Sequence, residues 1–167
     1  VFWAVDRFQG PDGAGTSLEF AAKRLECNDP QDRAALDRMT EAEIHTLTRF
    51  THPHIIRLLG FCRSENATIL LYEYEPLGSL DEHLADFAKA TRLGWSCRSR
   101  IIAGVVTAVS YLHLHEKVPC YHRDIKPGNI VLTAAFSPKL IDCGLSRFLP
   151  QDQPAESRRT LRGTTGV

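Results

Sequence analysis

The run His122-Arg123-Asp124-Ile125-Lys126-Pro127-Gly128-Asn129, followed after an apolar stretch by Asp142-Cys143-Gly144, constrains this chain more than any other feature. At roughly one chance in twenty per position, a set order of His, Arg, Asp, Lys, Pro and Asn at fixed offsets arises by accident about once in tens of millions of sites. The residues between the two motifs say how they meet. Ile130-Val131-Leu132-Thr133 and Lys139-Leu140-Ile141 read as short apolar strands around a turn at Ala134 to Pro138, a hairpin that returns Asp142 to the side of Asp124.

Whole-chain properties fit a folded domain without choosing its chemistry. With 167 residues and 43% hydrophobic content, the chain can bury one sizeable core or two small lobes. Its 20 basic and 20 acidic side chains cancel, so it lacks the basic excess that favours nucleic acid or an anionic membrane as main partner. No apolar run of about eighteen residues or more occurs. Val1-Phe2-Trp3-Ala4-Val5 lacks the basic flank of a signal peptide, and the chain is expected to be soluble. Cys27, Cys62, Cys97, Cys120 and Cys143 are odd in number and show no C-x-x-C spacing, which favours a reducing cytosol over a disulfide scaffold or zinc site. His52 with His54, and His113 with His115, have no Cys or carboxylate companions at ligand spacing.

Earlier in the chain the periodicity passes from strand to helix and back. Val1 to Arg7 and Leu18 to Leu25 have strand composition around the turn-formers of Gln9 to Thr16, predicting a hairpin with a long loop. Leu36, Met39, Glu43 and Leu47 recur at helical spacing. That helix is expected to stop near Thr51-His52-Pro53-His54, because proline disfavours helical geometry in the residue before it. Ile55 to Cys62 and Thr68 to Tyr74 read as a second hairpin, and Ser79-Leu80-Asp81-Glu82 as a capping box opening a short helix. A longer helix is predicted from Ser96 to His115, with Ile101, Ile102, Val105, Val109 and Leu112 on its core face. No internal repeat or low-complexity segment interrupts this order.

Along nearly its whole length the chain resembles a eukaryotic protein kinase domain of serine/threonine type. The resemblance implies an α+β, bilobal fold. Residues 1–75 would form a partial N-lobe, an antiparallel sheet with one helix ending at the hinge, and residues 76–167 a truncated, mainly helical C-lobe through the activation loop. It also implies ATP and Mg2+ as cofactors and Ser/Thr hydroxyls of proteins as acceptors. Moving a γ-phosphoryl group leaves the protein little covalent work, so catalysis is mostly positioning and charge neutralisation. On this resemblance Asp124 orients the acceptor hydroxyl and takes its proton. Lys126 offsets charge on the moving group, while Asn129 and Asp142 offer hard oxygen ligands to the metal. Ala21-Ala22-Lys23-Arg24-Leu25 is similar to the strand whose lysine holds the α- and β-phosphates, with Glu43 as its helix partner. Leu71 to Leu80 resembles the hinge, with Tyr72 as gatekeeper and the backbone of Glu73 and Glu75 facing adenine. Val1, Ala21 and Val131 complete the implied nucleotide set.

Details point to one branch. Lys126 resembles the serine/threonine pattern, and the stretches His52 to Cys62 and Asp142 to Arg147 are similar to plant receptor-like and Pelle-type kinases. That implies signal transduction at a cytoplasmic location, with any membrane contact made by other parts of the protein. Arg123 before Asp124 implies control by activation-loop phosphorylation, through an upstream kinase or autophosphorylation, since a phosphate would neutralise the arginine and order the loop. Ser157, Thr160, Thr164 and Thr165, among Arg158, Arg159 and Arg162, are candidate acceptors, with Thr164 better placed to contact the catalytic loop. Two departures stand out. The chain starts at the valine after the glycine-rich loop and stops before the large C-lobe helices, so the isolated piece is expected to be marginally stable and nearly inactive. Cys143 replaces the usual phenylalanine, a loss of packing on the order of 1 to 3 kcal/mol, which predicts a weaker hold on the active arrangement. The alternative function is a pseudokinase or signalling scaffold. Retention of Lys23, Glu43, Asp124, Lys126, Asn129 and Asp142 together argues for the enzyme.

Overall fold

A computed structural model describes residues 2–9, 17–27, 29–64 and 67–149. Val1, the first loop at 10–16 and the candidate phosphosites Ser157, Thr160, Thr164 and Thr165 lie outside them. Strand β1 (Phe2–Gln9) pairs antiparallel with β2 (Ser17–Glu26), Phe2 opposite Arg24 and Gln9 opposite Ser17. Strands β3 (Leu58–Arg63) and β4 (Ala67–Glu73) form the second hairpin. Pairing of β2 with β4 completes the order β1-β2-β4-β3 and sets Ala21 opposite Tyr72 and Lys23 opposite Leu70. Because side chains alternate along a strand, Lys23 and Leu25 of β2 share one face with Leu70 and Tyr72 of β4, and all four are buried.

Helix α1 (Pro30–Arg49) covers that face with Thr40, Glu43, Ile44 and Leu47. Met39, expected on the same stripe, is exposed. The helix ends two residues short of His52, and His54 N–H then donates to His52 Nδ1 at 3.1 Å. This loop joins the two halves of the molecule. Leu140 N–H donates to His54 O at 2.9 Å, and Ile56 N–H to Leu140 O at 3.0 Å.

The second half is helical with small hairpins. Helix α2 (Leu80–Ala85) starts where Ser79 Oγ accepts the Glu82 N–H, as the capping pattern anticipates. Asp86 caps a further helix, α3 (Phe87–Arg92), which the sequence reading did not separate from its surroundings. Helix α4 (Trp95–Leu114) buries Cys97, Ile101, Gly104, Ala108 and Leu112. Ile102 was expected on the core face but is 59% exposed. At about 100° per residue it is turned away from Ile101 and shares a side with Trp95 and Val106, themselves 80% and 56% exposed. Gly104 permits a close approach: a Cβ there would lie 2.5 Å from Pro138 Cγ and 3.0 Å from His54 Cε1. Strand β5 (Cys120–Tyr121) pairs with β8 (Arg147–Phe148), and β6 (Ile130–Leu132) with β7 (Pro138–Leu140), the hairpin expected from sequence. Among the described residues no helix is long and apolar enough to cross a membrane.

Candidate active site

The sheet half contributes a buried charge and its partners. Lys23 sits on an otherwise apolar strand face, where an unpaired ammonium would be costly. Its Nζ donates to Glu43 Oε2 at 2.8 Å and to Asp142 Oδ1 at 3.1 Å. Burial works against the charged form, yet the pull of Glu43 and Asp142 leaves its pKa above the ordinary lysine range. The second Glu43 oxygen is also taken. Tyr72 Oη donates to Glu43 Oε1 at 2.7 Å, a bond that sequence reasoning missed. Burial first, and the Glu43 carboxylate next, raise the tyrosine pKa, so the hydroxyl stays a donor.

The other half contributes a loop that folds on itself. Asn129 Nδ2 donates to Asp124 O at 2.9 Å and Asp124 Oδ2 at 2.7 Å, while Lys126 Nζ lies 2.8 Å from Asp124 Oδ2. A 3-10 turn at Pro127–Asn129 makes this possible, and Ile141 N–H closes onto Asn129 O at 2.9 Å. His122 stands behind. Its Nδ1 accepts the Asp124 N–H at 3.3 Å, so Nε2, 3.0 Å from Ile141 O, carries the proton. Burial lowers its pKa and keeps the ring neutral. Arg123 and Asp142 have φ of 72° and 61°. Non-glycine residues hold that left-handed geometry only where surrounding structure fixes it.

Between the halves lie two adjoining cavities. One, of about 400 Å³, is lined by Ala21, Tyr72, Glu73, Glu75, Val131 and Ile141 among others. The second, of about 310 Å³, is lined by Lys23, Glu43, Asn129 and Asp142, and both share Gly128 and Ile141. All the expected nucleotide-side residues except Val1, outside the described residues, line one cavity or the other. Asp124 and Lys126 line neither, and Asp124 joins the second only through its bond from Asn129. The donor chemistry suits a small hard cation. Asn129 spends its NH2 on Asp124 and keeps its amide oxygen, and Asp142 keeps Oδ2, a pair fitting Mg2+ rather than a softer metal. Among the described residues no group of three or more His, Cys, Asp or Glu could hold a metal ion.

Cys143 is fully buried, and burial raises its thiol pKa, so it is an inert packing group. Despite its size the Lys23 contacts to Glu43 and Asp142 are both closed. One further residue escaped sequence reasoning: Lys139 Nζ lies 2.5 Å from Glu73 Oε1 and 3.3 Å from Glu75 Oε1. The available signal was a lysine in the middle of a short strand with buried Pro138 and Leu140 on either side.

A sheet-and-helix half set over a helical half, with this cleft between, has the architecture of the protein kinase class. The chain matches the protein kinase domain over residues 13–166 and belongs to that family. It is similar to cysteine-rich receptor-like protein kinase 10 of Arabidopsis thaliana, 36% identical over 159 residues, 95% of this chain and 23% of that protein. It is also similar to cysteine-rich receptor-like protein kinase 38 of the same plant, 38% identical over 148 residues (89% of this chain, 22% of that protein). Over 148 residues it is 35% identical to cysteine-rich receptor-like protein kinase 10 of Oryza sativa subsp. japonica (89% of this chain, 22% of that protein). The chain thus spans less than a quarter of the length of these relatives.

Proposed function

We propose that this chain carries the ATP site and phosphoryl-transfer loop of a protein serine/threonine kinase acting in signal transduction. The observation that carries the reading is Lys23, from the sheet, bonded at once to Glu43 of α1 and Asp142 of the helical half. Three distant stretches meet there. Ala21, Tyr72, Glu73, Glu75 and Val131 would enclose the purine, and Lys23, oriented by Glu43, would hold the α- and β-phosphates. Asn129 and Asp142 would hold Mg2+, which when bound neutralises charge on the phosphates. Asp124, fixed by Asn129, orients the acceptor hydroxyl and receives its proton. Lys126 favours serine/threonine acceptors in this reading and balances charge beside Asp124.

A Mg2+-dependent phosphotransfer assay on the full-length protein tests this, beside Asp124→Asn and Lys23→Met. Loss of a general base typically costs about 10²- to 10⁴-fold in rate, and Asp124→Asn is expected to fall by that order while still binding ATP. Equal rates in all three proteins would remove the assignment. ATP binding without transfer in the parent would favour a scaffold.

The same reading extends to regulation and place. Arg123 donates to Leu145 O at 3.3 Å, and burial together with Arg147 lowers its pKa. A phosphate on the activation loop would relieve that repulsion, so an upstream kinase or autophosphorylation is the proposed switch. The hinge is proposed to divide a partial N-lobe, 1–75, from a partial C-lobe, 76–167, a division supported by the Leu132 N–H bond to Gly78 O just beyond it. Relatives named as receptor-like kinases support a cytoplasmic location beneath a membrane receptor. Protein substrates, and no nucleic acid, are the partners this reading calls for.

A further inference from the structure

Lys139, outside the expected site residues, connects the two halves of the cleft by pairing with two of them. It projects from β7 opposite Val131 and reaches Glu73 at the end of β4 and Glu75 in the hinge, at 2.5 and 3.3 Å. The three side chains are only 16%, 20% and 10% exposed. Glu73 is held further. Its Oε1 accepts the Arg57 N–H at 2.8 Å, and Arg57 Nε lies 3.9 Å from Oε2. Both glutamates line the cavity assigned above to the purine. An exposed ion pair would matter little, but one ammonium shared by two largely buried carboxylates is different, because removing it leaves two like charges out of water. Burial already raises the Glu75 pKa, with Lys139 pulling the other way.

We propose that Lys139 is a positioning residue for the nucleotide: it fixes the Glu73 and Glu75 carboxylates to β7 and offsets one of their two charges beside a cavity that must admit a polyanion. The proposal rests on the ATP-site reading above. Two consequences follow from the geometry. The hinge backbone keeps its orientation because both side chains flanking Tyr74 are anchored. Lys139 also makes the cavity mouth one charge less negative.

The test measures KM for ATP, kcat and thermal midpoint in the full-length protein, for the parent, Lys139→Met, Lys139→Arg and Lys139→Met with Glu75→Gln. The added net negative charge beside a bound polyanion predicts a rise in KM on the order of tenfold for Lys139→Met, with kcat much less affected. Lys139→Arg is expected to restore the parent KM, and Glu75→Gln to recover part of it in the Met background. An unchanged KM in Lys139→Met overturns the proposal, and so does an Arg variant as impaired as the Met one. Should Lys139→Met fail to fold, Glu75→Gln alone decides: less negative charge at the cavity lowers KM, and an equal or higher KM refutes the idea. A parent that binds no Mg-ATP removes the ATP reading and this proposal together, whereas a binding parent with an indifferent Lys139 removes this proposal alone.

Discussion

At the scale of single residues, Glu43 is saturated: Lys23 holds one carboxylate oxygen and Tyr72 the other. Tyr72→Phe leaves that charged acceptor short of a donor in a buried site, a loss of about 1.5 to 3 kcal/mol for a bond to an ionised group. Denaturant unfolding of the variant is expected to show it, and a change within a few tenths of a kcal/mol would contradict the bond's importance. His122 sets a pH dependence. Burial holds its native pKa below the ordinary 6.5, so as pH falls through 6.5 the unfolded chain takes up a proton that the folded one refuses. The stabilising contribution is therefore complete above that value and is lost toward the depressed native pKa. His52, lowered by burial and by His54, acts in the same direction. Melting at about pH 7.5 and about pH 5.5 is expected to give the lower midpoint in acid, with the gap narrowed in His122→Gln. Asp124, Asn129 and Asp142 were legible in sequence because their chemistry forces fixed local offsets. The Tyr72 to Glu43 and Lys139 to Glu73 bonds, 29 and 66 residues apart along the chain, were not, because only docking of separate elements creates them.

Among elements, both hairpins of the sheet could be read ahead because polar turn segments punctuate short apolar runs of strand composition, and α4 because its length averages out local noise. Helix α3 and the strands β5 and β8 could not. Two-residue strands carry no period, and α3 has no buried residue to mark a face. Ile102, beside Ile101, has the composition of a core position, yet among the described residues only a narrow stripe of α4 is buried. Ile101→Ala is accordingly expected to cost about 2 to 5 kcal/mol by opening a cavity. Ile102→Ser is expected to stay within about 0.5 kcal/mol, as exposed positions do. Equal effects in chemical denaturation would mean that the helix is rotated from the orientation described.

For the molecule as a whole, Trp95, Ile102 and Val106 are large apolar side chains on one side of α4 that the described residues leave exposed. Exposed apolar side chains gathered on one side of a helix favour association, so the 167-residue chain is expected to bind hydrophobic dyes and self-associate. Replacing the three by serine is expected to suppress both, read by dye fluorescence and light scattering. If dye binding persists, the exposed surface lies elsewhere. Long-range order also depends on one missing methyl. Position 104 lines neither cavity of the cleft, yet its neighbour Pro138 opens β7, the strand that ends at Leu140, two residues before Asp142. Alanine there would act as a wedge driven in from behind, levering Asp142 out of line with Lys23. Variants that silence such a protein are therefore to be sought at its back as well as in its mouth.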